Sequence, residues 1–351
     1  MIAVDANGAD AGPAAVAEGA RRSGERVLLF GPAAELGDRD DAATAGAPGV
    51  AGGARAAAGR AEIEIVDAPL RIGGDEEPVR AVRSNPEASI VQAAKAVAEG
   101  RAEALVSAGA TGPTLAAATL AIKRIRGVHR PAIAALLPLP AGRVLLLDAG
   151  ANVEVRPEHL VQFAYMGAAF MEHVCGVERP RVGLLSVGTE PGKGTPDVVA
   201  ARERLEAGSL DFAGNVEGFD VPDAVVDVVV TDGFTGNVAL KTMEASSRVT
   251  REAIRAAVRS GPISTLGGLL IRGAVGRLRA RLDPEAVGGA ILLGLRRPVV
   301  VGHGSFGPDG LAAAIRLARR AVDEQMVERT AAALEAGGAL RSAPAGSVNR
   351  G

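Results

Sequence analysis

Apolar residues along the chain follow two spacings. Short runs rich in Val, Ile and Leu end in small or polar residues, and behind them come stretches with apolar positions three and four apart. The first spacing marks strands covered on both faces, the second helices with a buried side. The pattern predicts strands at 2–5, 27–30, 62–66, 104–107, 143–148, 181–187, 225–231 and 298–301. Helices are predicted from Pro13, over 85–99, from the 107–112 loop to about Ile125, over 157–174 as an amphipathic segment, from Val238, and from Pro308 to about Glu335. This alternation points to an α/β fold, a mostly parallel sheet with helices on both faces. Residues 33–60, rich in Ala, Gly and Asp, read as a surface helix with a long loop, and the tail from Gly337 as frayed. The chain is therefore taken as a single α/β/α domain over 1–336 with a flexible tail at 337–351.

One stretch organises the rest: VVDVVVTDGFTGNVALKTME at 225–244. An apolar strand stops at Asp232 and Gly233, and Gly236 and Asn237 follow before the helix predicted from Val238. Backbone N–H groups at such a helix start face the carboxyl edge of the sheet, where open α/β sheets bind anions. Lys241 sits one turn in, on a chain with three other lysines, Lys95, Lys123 and Lys193. The plainer reading is a strand-to-helix turn with a solvated Lys. Comparable loops, SAGATG (107–112), DAGAN (148–152) and GTEPGKGT (188–195), also follow strands, and right-handed crossovers bring loops of this kind to one edge.

Residues 248–281 differ in character. They hold eight arginines and a single acid, Glu252, around an apolar centre with Leu266, Leu269, Leu270 and Ile271. Ile271, Val275, Leu278 and Leu282 repeat along one helix face. The span 239–285 reads as a projecting helical hairpin, suited to a dimer interface, to a membrane surface that meets arginines with anionic lipid, or to both.

A net charge of −2 gives no global reason to expect nucleic acid. The single Cys175 excludes an internal disulfide framework and reads as a buried core thiol, and four scattered histidines show no metal-ligand spacing. The chain opens on a strand rather than a signal sequence, and nothing approaches 18 uninterrupted apolar residues, so a cytoplasmic protein is expected.

Two motifs tempt and fail. GHGSFG (302–307) matches a dinucleotide fingerprint, but the helix after it leads to no second strand carrying an acid for the ribose. GTEPGKGT has one residue too few between its glycines for a P-loop, and Gly194 stands where a Mg²⁺-binding hydroxyl belongs, although an anion cradle with Lys193 remains open. GxSxG is absent, and Ser107 has no evident base partner.

Taken together, VDANGADAGP (4–13), VSAGATG (106–112), RPAIA (130–134), LDAGAN (147–152), RPRVGLLSVGTEPGKG (179–194), GNVEG (214–218), DVVVTDGFTGNVALKT (227–242), GGAILLG (288–294) and GHGS (302–305) resemble the phosphate acyltransferases of bacterial phospholipid synthesis, in order and spacing and over nearly the whole chain. The resemblance implies an α/β/α sandwich of the isopropylmalate-dehydrogenase and phosphotransacetylase type. It implies a reaction in which inorganic phosphate attacks the acyl thioester of acyl carrier protein, without cofactor or metal, to give acyl phosphate for a membrane glycerol-3-phosphate acyltransferase. It also implies a homodimer, peripheral membrane association and no nucleic acid partner. Phosphate is itself a nucleophile, so the chemistry needs an anion cradle and donors for a developing oxyanion rather than a covalent Ser or Cys.

On this resemblance Lys193, Asn237 and Lys241, with Ser107 and Thr111, are expected to hold phosphate and polarise the carbonyl, and His303 to protonate the leaving thiolate. Substrate contacts are expected at Asp5, Gly8, Asp10, Arg83, Gly109, Gly112, Asp148, Asn152, Gly194, Asn215, Glu217, Asp232, Gly233 and Gly236. Carrier or membrane contacts are expected at Arg255, Arg259, Leu266, Leu269, Leu270, Ile271, Arg272 and Arg277. The chain departs from the family pattern at RSNPEAS (83–89), which keeps Arg83 and Ser89 but has Asn85 and Pro86 in place of basic residues, at Ala110 for Asn, at Ala245 for Gly and at Gly302 for Ser. A non-catalytic carrier-binding paralogue and a phosphotransacetylase-like enzyme acting on acyl-CoA are the alternatives.

Overall fold

The computed structural model describes residues 1–36 and 62–340. In chain order the elements are β1 Ile2–Asp5, α1 Pro13–Ser23, β2 Val27–Gly31, α2 Ala33–Leu36, β3 Ile63–Asp67, α3 Pro78–Ser84, α4 Ser89–Ala98, β4 Ala104–Ser107 and α5 Thr111–Ala121. There follow β5 Ala132–Pro138, β6 Arg143–Leu147, α6 Pro157–His173, β7 Arg181–Leu185, α7 Pro196–Glu206, β8 Asp211–Val216, β9 Val228–Val230, α8 Gly233–Val258 and α9 Pro262–Arg281. The last are α10 Pro284–Val287, β10 Ala290–Leu293, β11 Val299–Val301, α11 Pro308–Asp323 and α12 Met326–Ala336. Mostly parallel strands alternate with helices, which is the α/β class that the hydrophobic pattern predicts. Most of the surface loop predicted at 33–60, and all but the first residues of the predicted frayed tail, lie outside the described residues.

The chain forms two compact units, 1–123 with 297–322, and 124–296 with 323 onward. In the first unit the strand order is β3-β2-β1-β4-β11, and every pairing is parallel. Asp5 and Val301 are both in register with Ser107, so the loops after β1, β4 and β11 start at one level. In the second unit the order is β10-β5-β6-β9-β7-β8. The β6, β9, β7 and β8 pairings are parallel, whereas β5 runs antiparallel to both β6 and β10. β5, β8 and β10 are absent from the predicted strands because short apolar runs such as AIAALLP and AILL cannot be told from buried helix by periodicity, and β8, DFAGNV, has glycine and polar residues within it.

Proline sets the helix starts. Seven helices, α1, α3, α6, α7, α9, α10 and α11, open on Pro, whose fixed φ suits a position with no intrahelical N–H bond. Thr195 Oγ1 accepts from Val198 N ahead of α7, and the Glu77 carboxylate accepts from Val79 and Arg80 N ahead of α3.

Several predicted elements need correction. The helix predicted over 85–99 begins later, as α4 at Ser89, because Asn85 closes a separate helix, α3, its Nδ2 donating to Ala81 O. The helix predicted to Ile125 ends at Ala121, and the one predicted from Pro308 to Glu335 breaks at Gln325, which is left-handed at φ 51°. The segment 157–174 is not amphipathic. Every residue from His159 to Met171 is buried, because α6 lies between β6, β7 and β9 on one side and α7 and α12 on the other. Cys175, past its end, is half-buried rather than a core thiol. On the opposite face Val144, Leu146, Val216, Val226 and Val229 pack with Leu240 and Met243 of α8.

Candidate active site

The loops of the first unit are tied by one buried carboxylate. Asp5, at the end of β1, accepts from Ser89 Oγ at 2.6 Å, Ser107 Oγ at 2.8 Å and Asn7 N at 3.2 Å. Asn7 Nδ2 donates in turn to Ala68 O and Ser89 Oγ, and Ser107 Oγ accepts from Gly109 N. Burial raises the Asp5 carboxyl to about 6 against the pull of these donors and of the nearby Arg71 charge. Arg71, Asn7, Ser89, Gly109 and Thr114 surround a cavity of ≈ 10 Å³ beside it, room for about one water.

Gly8 sits at φ 101°, where a Cβ would lie 2.7 Å from Gly109 Cα, so two loop backbones touch and only glycine serves. Asp10 N donates to Gly304 O, and Gly302 N donates to Ser107 O, which joins the β11 loop to the other two. Thr111 is exposed and Gly112 half-buried in the first turn of α5, ahead of which Ala110 offers no side-chain cap. His303 is exposed, its Nδ1 2.8 Å from Ser305 Oγ. Arg83 is exposed in the last turn of α3.

In the second unit Asp148, past β6, plays the matching part. It accepts from the backbone N of Ile133, Gly150, Ala151 and Asn152 at 2.7–3.2 Å, and from Asn152 Nδ2 at 2.7 Å. Burial raises its pKa, and these donors oppose the shift. Against this cage packs the start of α8, five residues earlier than predicted. Asp232 is the N-cap, accepting from Thr235 N at 2.8 Å, and Gly233 N donates to Asn152 O at 2.7 Å. A Cβ on Gly236 would stand 1.9 Å from Asp148 O, and one on Gly233 2.7 Å from Asn152 O. The two glycines are therefore inside the helix, because its first turn presses on the 148–152 loop. Gly236 N is spent on Asp232 O. Asn237 follows on the exposed side, close to Gly150, and Lys241 Nζ meets Glu244 Oε2 at 2.8 Å.

Lys193 lies on the loop after β7, and β7 pairs directly with β9, from which α8 departs. Both lysine-bearing segments thus leave the carboxyl edge of adjacent parallel strands. Asn215 on β8 is buried and pins the loop, its Nδ2 donating to Glu190 O at 3.0 Å and Lys193 O at 3.3 Å, while its Oδ1 has no partner. Gly194 is at φ 109°, with Ser186 Oγ and Val198 Cγ1 each 2.9 Å from where a Cβ would be. Glu217 is half-buried in the turn after β8, its N donating to Asp220 Oδ2.

Four large apolar side chains line the same edge: Val153 after β6, Phe234 after β9, Val187 after β7 and Phe219 after β8 are 62–80% exposed. Beyond them α9 has no buried residue, and its Ile263, Leu266, Leu269, Leu270 and Ile271 are all exposed. Arg248, Arg251, Arg255 and Arg259 recur three and four apart, a basic stripe down the end of α8. Arg272 and Arg277 are exposed on α9. Among the described residues no helix is long and apolar enough to cross a membrane.

A family model described as "Fatty acid synthesis protein" matches residues 1–329. The phosphate acyltransferase of Thermobifida fusca (strain YX) is 43% identical over 330 residues, covering 92% of this chain and 88% of its own length. That of Elusimicrobium minutum (strain Pei191) is 41% identical over 330 residues, covering 93% of each. The chain belongs to the phosphate acyltransferase family. It is thereby an acyltransferase of fatty-acid and lipid synthesis. Among solved structures, a phosphotransacetylase from Streptococcus pyogenes matches with a TM-score of 0.55 at 18% identity, over 93% of this chain and 94% of that one, a likeness of fold.

Of the residues expected to act in this family member, Ser107, Thr111 and His303 belong to the first unit, and Lys193, Asn237 and Lys241 to the second. Reading the sequence missed Asn7, Arg71 and Thr114 around Asp5, and the four apolar residues at the second unit's edge. The latter had a usable signal: each is a large apolar residue two to six positions past a strand.

Proposed function

We propose that this acyltransferase moves a long-chain acyl group from the thioester of acyl carrier protein to inorganic phosphate. The observation that carries this reading is the pair of lysines on segments that leave adjacent parallel strands, Lys193 on the loop after β7 and Lys241 within α8 after β9, in a chain assigned to the phosphate acyltransferases over nearly its whole length. A phosphate oxygen attacks the thioester carbonyl carbon, the C–S bond breaks, and the sulfur leaves as a thiolate that takes up one proton. Lys193 and Lys241 supply positive charge for the phosphate, and Asn237 Nδ2 a donor for the oxyanion. Asp148 acts at one remove, by fixing the 148–152 loop on which the start of α8, with Asn237 and Lys241, packs. The apolar residues Val153, Val187, Phe219 and Phe234 are exposed at the same edge, and a bound donor that covers them would take water away from the charged groups and strengthen their interactions.

The exposed hairpin is the proposed contact for other molecules. Its arginine stripe suits an acidic carrier, and its apolar centre suits a second copy of the chain or the membrane surface where a glycerol-3-phosphate acyltransferase would take the product. On this reading the enzyme is a cytoplasmic, peripherally membrane-associated homodimer in phospholipid synthesis. The test is phosphate-dependent release of free thiol from palmitoyl carrier protein, compared with palmitoyl-CoA. Faster release from the carrier supports the reading. Preference for CoA makes the enzyme phosphotransacetylase-like, and no release from either makes it a non-catalytic binder.

A further inference from the structure

Lys193 is gripped at two points. Its own N donates to Glu190 O at 3.0 Å, which closes a turn of four residues with Pro191 in the second place, where a fixed φ fits. Beside the turn Gly188 is buried, and a Cβ there would lie 3.1 Å from Lys193 Cγ and 3.5 Å from its Cδ, so the lysine stem rests on bare backbone. Among the described residues its Nζ has no hydrogen bond or ion pair, unlike that of Lys241, which meets Glu244.

The second grip comes from β8. Asn215 is 5% exposed, and its Nδ2 donates to both ends of that turn, Glu190 O at 3.0 Å and Lys193 O at 3.3 Å. An amide nitrogen carries two hydrogens, and both are used here. The two carbonyls also settle which way the amide points, because Oδ1 could accept from neither. Nδ2 therefore has no hydrogen left for substrate, and the reach of this side chain is to the loop. We infer that Asn215 is a positioning residue for Lys193: it clips both ends of the 190–193 turn and so holds the Lys193 ammonium where phosphate is taken up. The inference rests on the proposed function, in which Lys193 supplies charge to the phosphate.

Residues 189–196 are all exposed, so packing does little to fix the turn. The far end of the loop is held by Thr195, which caps α7, and the near end by the sheet; the clip ties down what lies between. Without it both carbonyls turn to water at little cost to the fold, and the turn keeps only its own Lys193 N to Glu190 O bond. The ammonium then loses its place, and a displacement of about 1 Å in a group that meets substrate can cost as much as ~10²-fold.

The experiment uses the full-length protein with inorganic phosphate as the probe. The chain has four lysines, so ¹³C-methylation, which keeps their charge, gives few signals, and that of Lys193 is the one lost in Lys193→Ala. Asn215→Leu fills nearly the same space without an N–H, and circular dichroism checks that the fold is kept. The phosphate concentration that half-shifts the Lys193 signal is expected to rise about tenfold or more in Asn215→Leu, and the KM for phosphate with it, while the KM for the acyl donor stays within about twofold. In a Lys193→Ala background Asn215→Leu should change the KM for phosphate by less than about twofold, because a residue that acts through another has no effect once that other is gone. A half-shift within about twofold of wild type, a joint rise of both KM values, or an undiminished effect without Lys193 each overturns the inference. Should Asn215→Leu lose the wild-type spectrum, Asn215→Ser, smaller and with one donor, is judged on the same half-shift, with about threefold expected and no change overturning the inference. A Lys193 signal that phosphate leaves unmoved in the wild type also overturns it, while thiol release decides the acyl-transfer reading separately. A moving signal whose half-shift rises in Asn215→Leu upholds the clip even where no acyl group is transferred.

Discussion

Replacing Gly236 by alanine tests the packing on which the candidate site is built. The added Cβ would stand 1.9 Å from Asp148 O and 3.0 Å from Thr231 Cγ2. A carbon and an oxygen need roughly 3.3 Å, so either α8 or the 148–152 loop must move by more than an ångström. That displacement strains the cage in which four backbone N–H groups and Asn152 hold the Asp148 carboxylate. Overpacking of this kind costs about 3 kcal/mol or more, and the better helix propensity of alanine returns about 1 kcal/mol, leaving a net loss of about 2 kcal/mol. Gly267 on α9 is the control. Nothing lies within 4 Å of its Cβ position, so Gly267→Ala should stabilise by about 0.5–1 kcal/mol. The chain has one tyrosine and no tryptophan, and Tyr165 is buried in α6 of the second unit, so tyrosine fluorescence reports that unit's unfolding. The urea midpoint should fall by about 1 M for Gly236→Ala and rise slightly for Gly267→Ala. A midpoint for Gly236→Ala at or above wild type would refute the packing argument, because propensity alone would then decide both positions.

Other perturbations address charge and chemistry. Asp5 has a folded pKa of about 6 against 3.8 when unfolded, so the native state holds the extra proton between these values, and stability should fall by about 3 kcal/mol as pH rises from about 4 to about 6. Hydrogen exchange at Val4 and Val106 measures this in the first unit, and an unchanged pH profile in Asp5→Asn would rule out Asp5 as its source. Lys193→Ala and Lys241→Ala should each lower turnover by ~10²-fold with the fold intact; full activity in either removes that lysine from the mechanism. The Michaelis constant for acyl carrier protein should rise steeply with salt and should lose that dependence in the Arg255→Glu, Arg259→Glu double variant, so a salt-insensitive wild type argues against the basic stripe as the carrier contact. Flotation with anionic liposomes should fall in the Leu269→Glu, Leu270→Glu double variant, and unchanged flotation counts against the α9 surface as the membrane contact.

What could be read along the chain, and what could not, divides by range. Strand ends were legible at Asp5, Ser107 and Asp148, because each closes an apolar run and small residues follow. The start of α8 was not, since Gly233 and Gly236 have the composition of a loop, and only the nearness of the Asp148 backbone makes glycine necessary within a helical turn. The direction of β5 and the complete burial of α6 depend in the same way on partners far off in sequence. This bears on the chemistry assigned to each residue. A carboxylate beside glycines reads as a ligand for substrate, yet Asp5 and Asp148 have their oxygens occupied by serines, an asparagine and backbone N–H groups. Neutralising Asp148 as Asp148→Asn should therefore weaken the loop before it weakens any contact with phosphate, because an amide oxygen and NH₂ cannot accept all five of its donors. The expected result is a loss of stability, read by Tyr165, that accompanies the loss of turnover. An inactive Asp148→Asn enzyme of wild-type stability would instead put that carboxylate in contact with the reacting groups.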